Sequence, residues 1–137
     1  MDHTIAHFEI PAKDLDRLKK FYSDLFAWKF TRYPGPMEYW TIETVPVDKN
    51  MQLVRPGVNG GLYKKQQPEN VPINYISVES IDDYIEKTKK LGGKIVMPKM
   101  EISKEIGWSA AATDPEGNLF GLFQPATQQQ RAESKKK

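Results

Sequence analysis

The 137-residue chain has no cysteine. That excludes disulfides, zinc–thiolate sites, iron–sulfur clusters and a thiol nucleophile. Histidine is scarce, with only His3 and His7 present. No apolar run approaches the ~18 residues of a membrane span. The opening MDHTIAHFEI lacks the basic start and apolar core of a secretory signal. A cytoplasmic protein with no membrane partner is therefore expected. Charge of one sign is also missing: 20 Lys+Arg face 18 Asp+Glu, and without the last seven residues, RAESKKK, the balance is 16 to 17. The body thus offers no electrostatic case for nucleic acid. Phosphate-loop, dinucleotide-fingerprint and nucleophile-elbow motifs are absent.

What is present is a pattern of strands and helices that occurs twice. Residues 4–10, TIAHFEI, alternate as a strand, with Ala6, Phe8 and Ile10 on one face and Ile5, His7 and Glu9 on the other. Pro11 is expected to end it. Asp14 is an N-cap candidate. Leu15, Leu18, Phe21, Tyr22, Leu25 and Phe26 then recur at helical spacing, predicting a helix over about 14–26. Strands are expected at Trp28–Tyr33, Glu38–Val45 and Gly60–Lys64, with a further short one at Met51–Val54.

After the polar connector QQPENVP the order repeats. A strand is predicted at Ile73–Val78. A helix follows, capped by Ser80 and stopped by Gly92-Gly93. Strands close the chain at Lys94–Met97, Gly107–Thr113 and Leu119–Gln124, the last two joined by the turn Asp114–Asn118.

A shift of 66 residues lays His7 on Ile73 and Leu15 on Ile81, and a shift of 60 lays Gly61-Leu62-Tyr63 on Gly121-Leu122-Phe123. The reading is an internal duplication. The expected fold is α+β: two βαβββ modules, about 4–64 and 73–124, form curved mixed sheets around a shared cavity within one domain, 1–125. The polar tail 126–137 is expected to be disordered.

The segments HFEIPAKDLDRLKKFYSDLFAWKF, KKLGGKIVMP and TDPEGNLFGLFQP, in that order and spacing, resemble the vicinal oxygen chelate superfamily of glyoxalases, bleomycin-resistance proteins and extradiol dioxygenases. The likeness covers about residues 4–125 and leans toward its small glyoxalase-like branch. The resemblance implies a metal held by one ligand from each first strand and one from each last strand. The matching positions here are His7, Ile73, Gly61 and Gly121. One imidazole, one alkyl group and two glycines lack the converging donors a divalent ion needs. No metal and no other cofactor are expected. A His7–Glu9–Glu43 set is the alternative donor group.

The residues expected to line the cavity are His7, Glu9, Ile73, Tyr75, Gly121 and Phe123, which share strand faces by parity. His7 is read as a hydrogen-bonded cavity residue, or as a general base, since imidazole titrates near neutrality. Core packing is the default for most of the strand aromatics, Tyr39 among them. The two glycines either leave room for a ligand ring or mark strand bulges.

The leading expectation is a metal-independent small-molecule-binding protein of the glyoxalase/bleomycin-resistance type. The alternative is a lyase or isomerase of the same superfamily using His7 and Glu9, with or without an unusual divalent metal. A third reading is an interaction subunit with a vestigial cavity. Relatives with two modules per chain commonly pair as homodimers, and the resemblance implies the same here.

Overall fold

The computed structural model describes residues 1–127, 129, 130 and 132. Among these the elements run β1 (Ile5–Ala12), α1 (Leu15–Phe26), β2 (Lys29–Tyr33), β3 (Tyr39–Glu43), β4 (Gly60–Lys64), β5 (Ile73–Ser77), α2 (Ile81–Lys90), β6 (Lys94–Ser103), β7 (Gly107–Thr113) and β8 (Leu119–Pro125). The order is the predicted βαβββ, twice, an α+β fold. Two units form: His7–Ile73, and Met1–Ala6 together with the chain from Asn74 onward.

The His7–Ile73 unit is a mixed four-stranded sheet. β4 pairs with β1 in parallel, and β3 lies antiparallel between β4 and β2. The amphipathic α1 starts where the Asp14 carboxylate accepts the Arg17 N–H at 3.1 Å. It ends at Ala27, which takes the left-handed conformation (φ +61°) and donates its N–H to Ser23. Its Leu15 joins Ala12, Ile42 and Leu62 in a buried core, packed by Phe8, Ile10, Leu18, Trp28, Phe30 and Trp40. These strand residues share one face. Strand alternation therefore turns His7, Glu9, Thr41, Gly61 and Tyr63 to the face opposite α1.

The second unit repeats the arrangement. β8 pairs with β5 in parallel and with β7 antiparallel, and β7 pairs with β6. Ser80 caps α2 by accepting the Asp83 N–H at 3.3 Å. Asp82 and Asp83 lie in its first turn and Lys87, Lys89 and Lys90 in its last, complementing the helix dipole. The chain then turns through Gly92 at φ +97°, where a side chain would be strained. Val78, Ile81, Ala110 and Leu122 form this core, packed by Tyr84, Ile85, Trp108 and Phe120. Tyr75, Gly121 and Phe123 alternate to the opposite face.

Three expectations fail. Pro11 does not end β1. Ala12 accepts the Lys65 N–H at 2.8 Å, so the backbone groups of Ala12 face β4 and those of Pro11 face away. The missing proline N–H therefore removes nothing from that ladder. Met51–Val54 is not a strand. Asp48 captures the N–H groups of Asn50 and Gln52 in a tight turn, and a single bridge, Val47 to Leu53, remains. The strand expected at Lys94–Met97 runs on to Ser103, because register shifts on either side of Met97 leave Pro98 out of the ladder with β7.

Ala126 is buried and donates its N–H to Ile106 at 3.0 Å, one residue past the expected end of the domain. The rest of the expected tail falls mainly on residues 128, 131 and 133–137, outside those described.

Candidate functional site

The polar centre of the His7–Ile73 unit is built from three strands. β1 presents His7 and Glu9, two residues apart, on the face away from α1. Glu9 stands in register with Gly61 of β4, and Gly61 with Thr41 of β3. Two residues earlier on β3, Tyr39 reaches diagonally across Gly61. A Cβ at Gly61 would overlap the Tyr39 hydroxyl and ring. The absent side chain is the reason the phenol fits there.

The hydroxyl is hydrogen-bonded on both sides. It donates to Glu9 Oε2 at 2.8 Å, and it lies 2.9 Å from His7 Nε2. A phenol has one proton; with that proton on Glu9, His7 Nε2 must be the donor of the second bond. His7 Nε2 and Glu9 Oε2 are 3.7 Å apart, with side chains 34% and 20% exposed. The cluster is partly shielded and reachable from solvent. Aromatic neighbours frame it: Tyr33 meets Tyr39 edge-on at 6.3 Å between centroids, and Tyr63 is the cross-strand partner of Tyr39. Burial, and second the charge of Glu9, raise the Tyr63 phenol above the usual 10.0.

The other unit repeats the glycine device. Tyr75 stands in register with Gly121, and a Cβ at Gly121 would overlap the Tyr75 ring. Phe123 pairs with Ser77. Ile73 is buried. His7 and Glu9 are brought together, and Tyr75 and Gly121 are in contact. Ile73 and Phe123 carry no polar group. The glycines mark no bulge in the β3–β4 and β7–β8 ladders. Their space is filled by the chain's own tyrosines, so it is not open for a ligand ring.

Tyr39 escaped the sequence reading. The signal was its parity with Thr41, which becomes informative only once β3 is set in register against Gly61.

His3 is exposed but bonded. It contacts Ser77 O at 2.9 Å and the Tyr84 hydroxyl at 2.8 Å, and Tyr84 also donates to Glu79 at 3.1 Å. With the Ser77 N–H bonded to Thr4 O, this cluster ties down the N-terminal arm.

The arrangement does not fit the metal centre that the family resemblance implies. Of the four ligand positions only His7 has a donor, and tyrosines occupy the side-chain space of both glycines. Among the described residues no group of three or more His, Asp or Glu is placed to hold an ion, so Glu43 does not join His7 and Glu9. What the cluster offers is a phenol, an imidazole and a carboxylate in one hydrogen-bonded row, able to bind a polar ligand group or to pass a proton.

The family model for the glyoxalase/bleomycin resistance protein/dioxygenase superfamily matches residues 4–122. The chain belongs to that superfamily. Within it, a glyoxylase-like domain-containing protein from Didymella fabae is 31% identical over 123 residues, covering 86% of this chain and 91% of the relative. The Mycobacterium bovis protein CFP32 is 28% identical over 121 residues, covering 85% of this chain. The chain spans only 43% of that relative's length. The solved structure of hypothetical protein BH1468 from Bacillus halodurans superposes with a TM-score of 0.68 at 14% identity, over 93% of this chain and 98% of that one. At that identity the likeness is one of fold. The superfamily's fold is thus kept here, and of the four ligand positions that the resemblance implies only His7 has a donor. Among the described residues no helix is long and apolar enough to cross a membrane.

Proposed function

We propose that this superfamily member is a metal-independent small-molecule-binding protein of the glyoxalase/bleomycin-resistance type. Its polar anchor is the His7–Tyr39–Glu9 row. One observation carries the reading: the space at Gly61, where the resemblance puts a ligand side chain, holds a tyrosine hydroxyl bonded to both neighbouring polar groups. Tyr33 and Tyr63 supply aromatic walls around a few polar tips, the usual composition of a small-molecule site. Tyr75 and Phe123 are proposed as lining residues within their own unit.

A thermal-shift screen of aromatic and cationic small molecules tests this, because selective binding to the folded state raises Tm. The expected hits shift wild type and lose their effect in His7→Ala and Tyr39→Phe. Hits that shift all three equally would remove this row from the site.

The row itself favours a second reading, a lyase or isomerase using His7 and Glu9. Tyr39 connects an imidazole to a carboxylate at hydrogen-bond distances, a route for a proton between acid and base. Incorporation of solvent deuterium beside the carbonyl of a small α-hydroxy ketone, lost in Glu9→Gln, would establish it.

A cytoplasmic homodimer completes the proposal. The edge strand β6 exposes Val96, Met97, Met100 and Ile102, an apolar strip a second copy would cover. Light scattering at micromolar concentration should give twice the chain mass, and a monomer mass counts against it.

A further inference from the structure

We propose that His3 is a proton-operated latch on the N-terminal arm: only as imidazolium does its ring complete the hydrogen-bonded row Ser77–His3–Tyr84–Glu79. All four residues belong to the unit made of Met1–Ala6 and the chain from Asn74 onward. The arm lies along Ser77, the last residue of β5. Ser77 donates its N–H to Thr4 O at 3.0 Å, and its carbonyl oxygen is 2.9 Å from His3 Nδ1. Both backbone groups of Ser77 are thus bonded to the arm, one of them through His3.

Counting protons fixes the state of the ring. A carbonyl oxygen only accepts, so Nδ1 carries a proton. Tyr84 has one hydroxyl proton, which goes to Glu79 Oε1 at 3.1 Å. Desolvation pushes the Glu79 carboxyl up, yet the Tyr84 bond, a backbone N–H and the charges of His3 and the amino terminus bring it below its ordinary range, so it accepts as a carboxylate. His3 Nε2 stands 2.8 Å from the same hydroxyl and must be the donor there. Both ring nitrogens then carry protons. A neutral ring with its proton on Nδ1 leaves the row one bond short. Either Tyr84 turns its proton to Nε2 and abandons Glu79, or two lone pairs face each other across the same gap. The other charges facing the row are Asp83 and Lys87 of α2, with Lys87 Nζ 4.6 Å from the Tyr84 ring centroid, and the Met1 amino group. Asp2 flanks His3 on the arm itself. Carboxylates and lysine ammonium groups ordinarily keep their charge between about pH 5.5 and 8.5, and imidazole does not. The added proton favours the docked arm. Docking is therefore strongest at low pH and weakens as pH rises through the imidazole range.

The test is amide exchange of Ser77 in the full chain, read by NMR and corrected for the intrinsic rate at each pH. From about pH 5.5 to 8.5, protection in wild type should fall about three- to tenfold, the weight of one hydrogen bond at an exposed site. His3→Ala should be weakly protected at both values. An α-amino group also titrates in this window, and His3→Ala keeps it, which separates the two. Glu79→Gln is the discriminating variant. Its amide can donate to the Tyr84 hydroxyl, which then gives its own proton to a neutral His3, so the arm should stay protected at both pH values. Equal protection of wild type at the two pH values would overturn the latch. So would the wild-type fall persisting in His3→Ala or in Glu79→Gln.

Discussion

Replacing Gly61 with alanine adds one methyl group, yet it should act as a polar-site mutation. The new Cβ overlaps the Tyr39 phenol, so the ring must leave. Its departure breaks the bond to the Glu9 carboxylate at 2.8 Å and the contact with His7 at 2.9 Å. A hydrogen bond to a charged group contributes about 1.5–3 kcal/mol and a neutral one about 0.5–1.5. Glu9 and His7 are 20% and 34% exposed, so water replaces part of the loss. The expected cost is about 1–3 kcal/mol. In a Tyr39→Ala background no phenol remains to displace, and Gly61→Ala should cost under about 0.5 kcal/mol. Urea unfolding of the four proteins gives the cycle, with midpoints compared at constant m. A coupling of about 1–3 kcal/mol between positions 39 and 61 is predicted. Additivity within about 0.5 kcal/mol would refute the argument that the glycine exists to admit the tyrosine.

Asn59 accepts the N–H groups of Thr44 and Val45 and donates to Val45 O, fastening the loop between β3 and β4. Asn59→Ala should destabilise by about 1–3 kcal/mol in urea and raise amide exchange in residues 44–58. Ala27 holds a left-handed conformation at φ +61°, so Ala27→Gly should stabilise by about 0.5–1 kcal/mol in the same assay. Tyr63 has its folded pKa raised above 10.0 by burial and by Glu9. Its contribution to stability is complete below pH about 10 and is lost as pH rises through the folded value. Glu9→Gln removes the smaller cause, so the Tyr63 titration, isolated by ultraviolet difference against Tyr63→Phe, should move down toward 10 without reaching it.

Much of the fold is legible because strand and helix periods are cleanly separated. In β1, His7 and Glu9 alternate with Phe8 and Ile10, and the core that Phe8 and Ile10 join fixes which face His7 takes. Asp14, Ser80 and Gly92 mark helix ends through chemistry that is local to the chain. The misreadings come where a local rule meets a neighbouring strand. Pro11 and Pro98 look like breakers until the direction of each backbone N–H, or a shift in the ladder, is known. Met51–Val54 is apolar enough for a strand, but Asp48 supplies the backbone bonds a partner strand would have given. The site divides in the same way. His7 and Glu9 follow from parity within one strand. Tyr39 depends on a diagonal approach over Gly61, set by the pairing of β3 with β4, and no spacing within either strand encodes it.

The central claim is that a tyrosine hydroxyl, not a metal, organises the polar site. Metal content of the purified protein after growth with added nickel, zinc, iron and manganese tests it most directly. The account predicts far less than one ion per chain, in wild type and His7→Ala alike. One tightly held ion per chain in wild type, absent from His7→Ala, would contradict it.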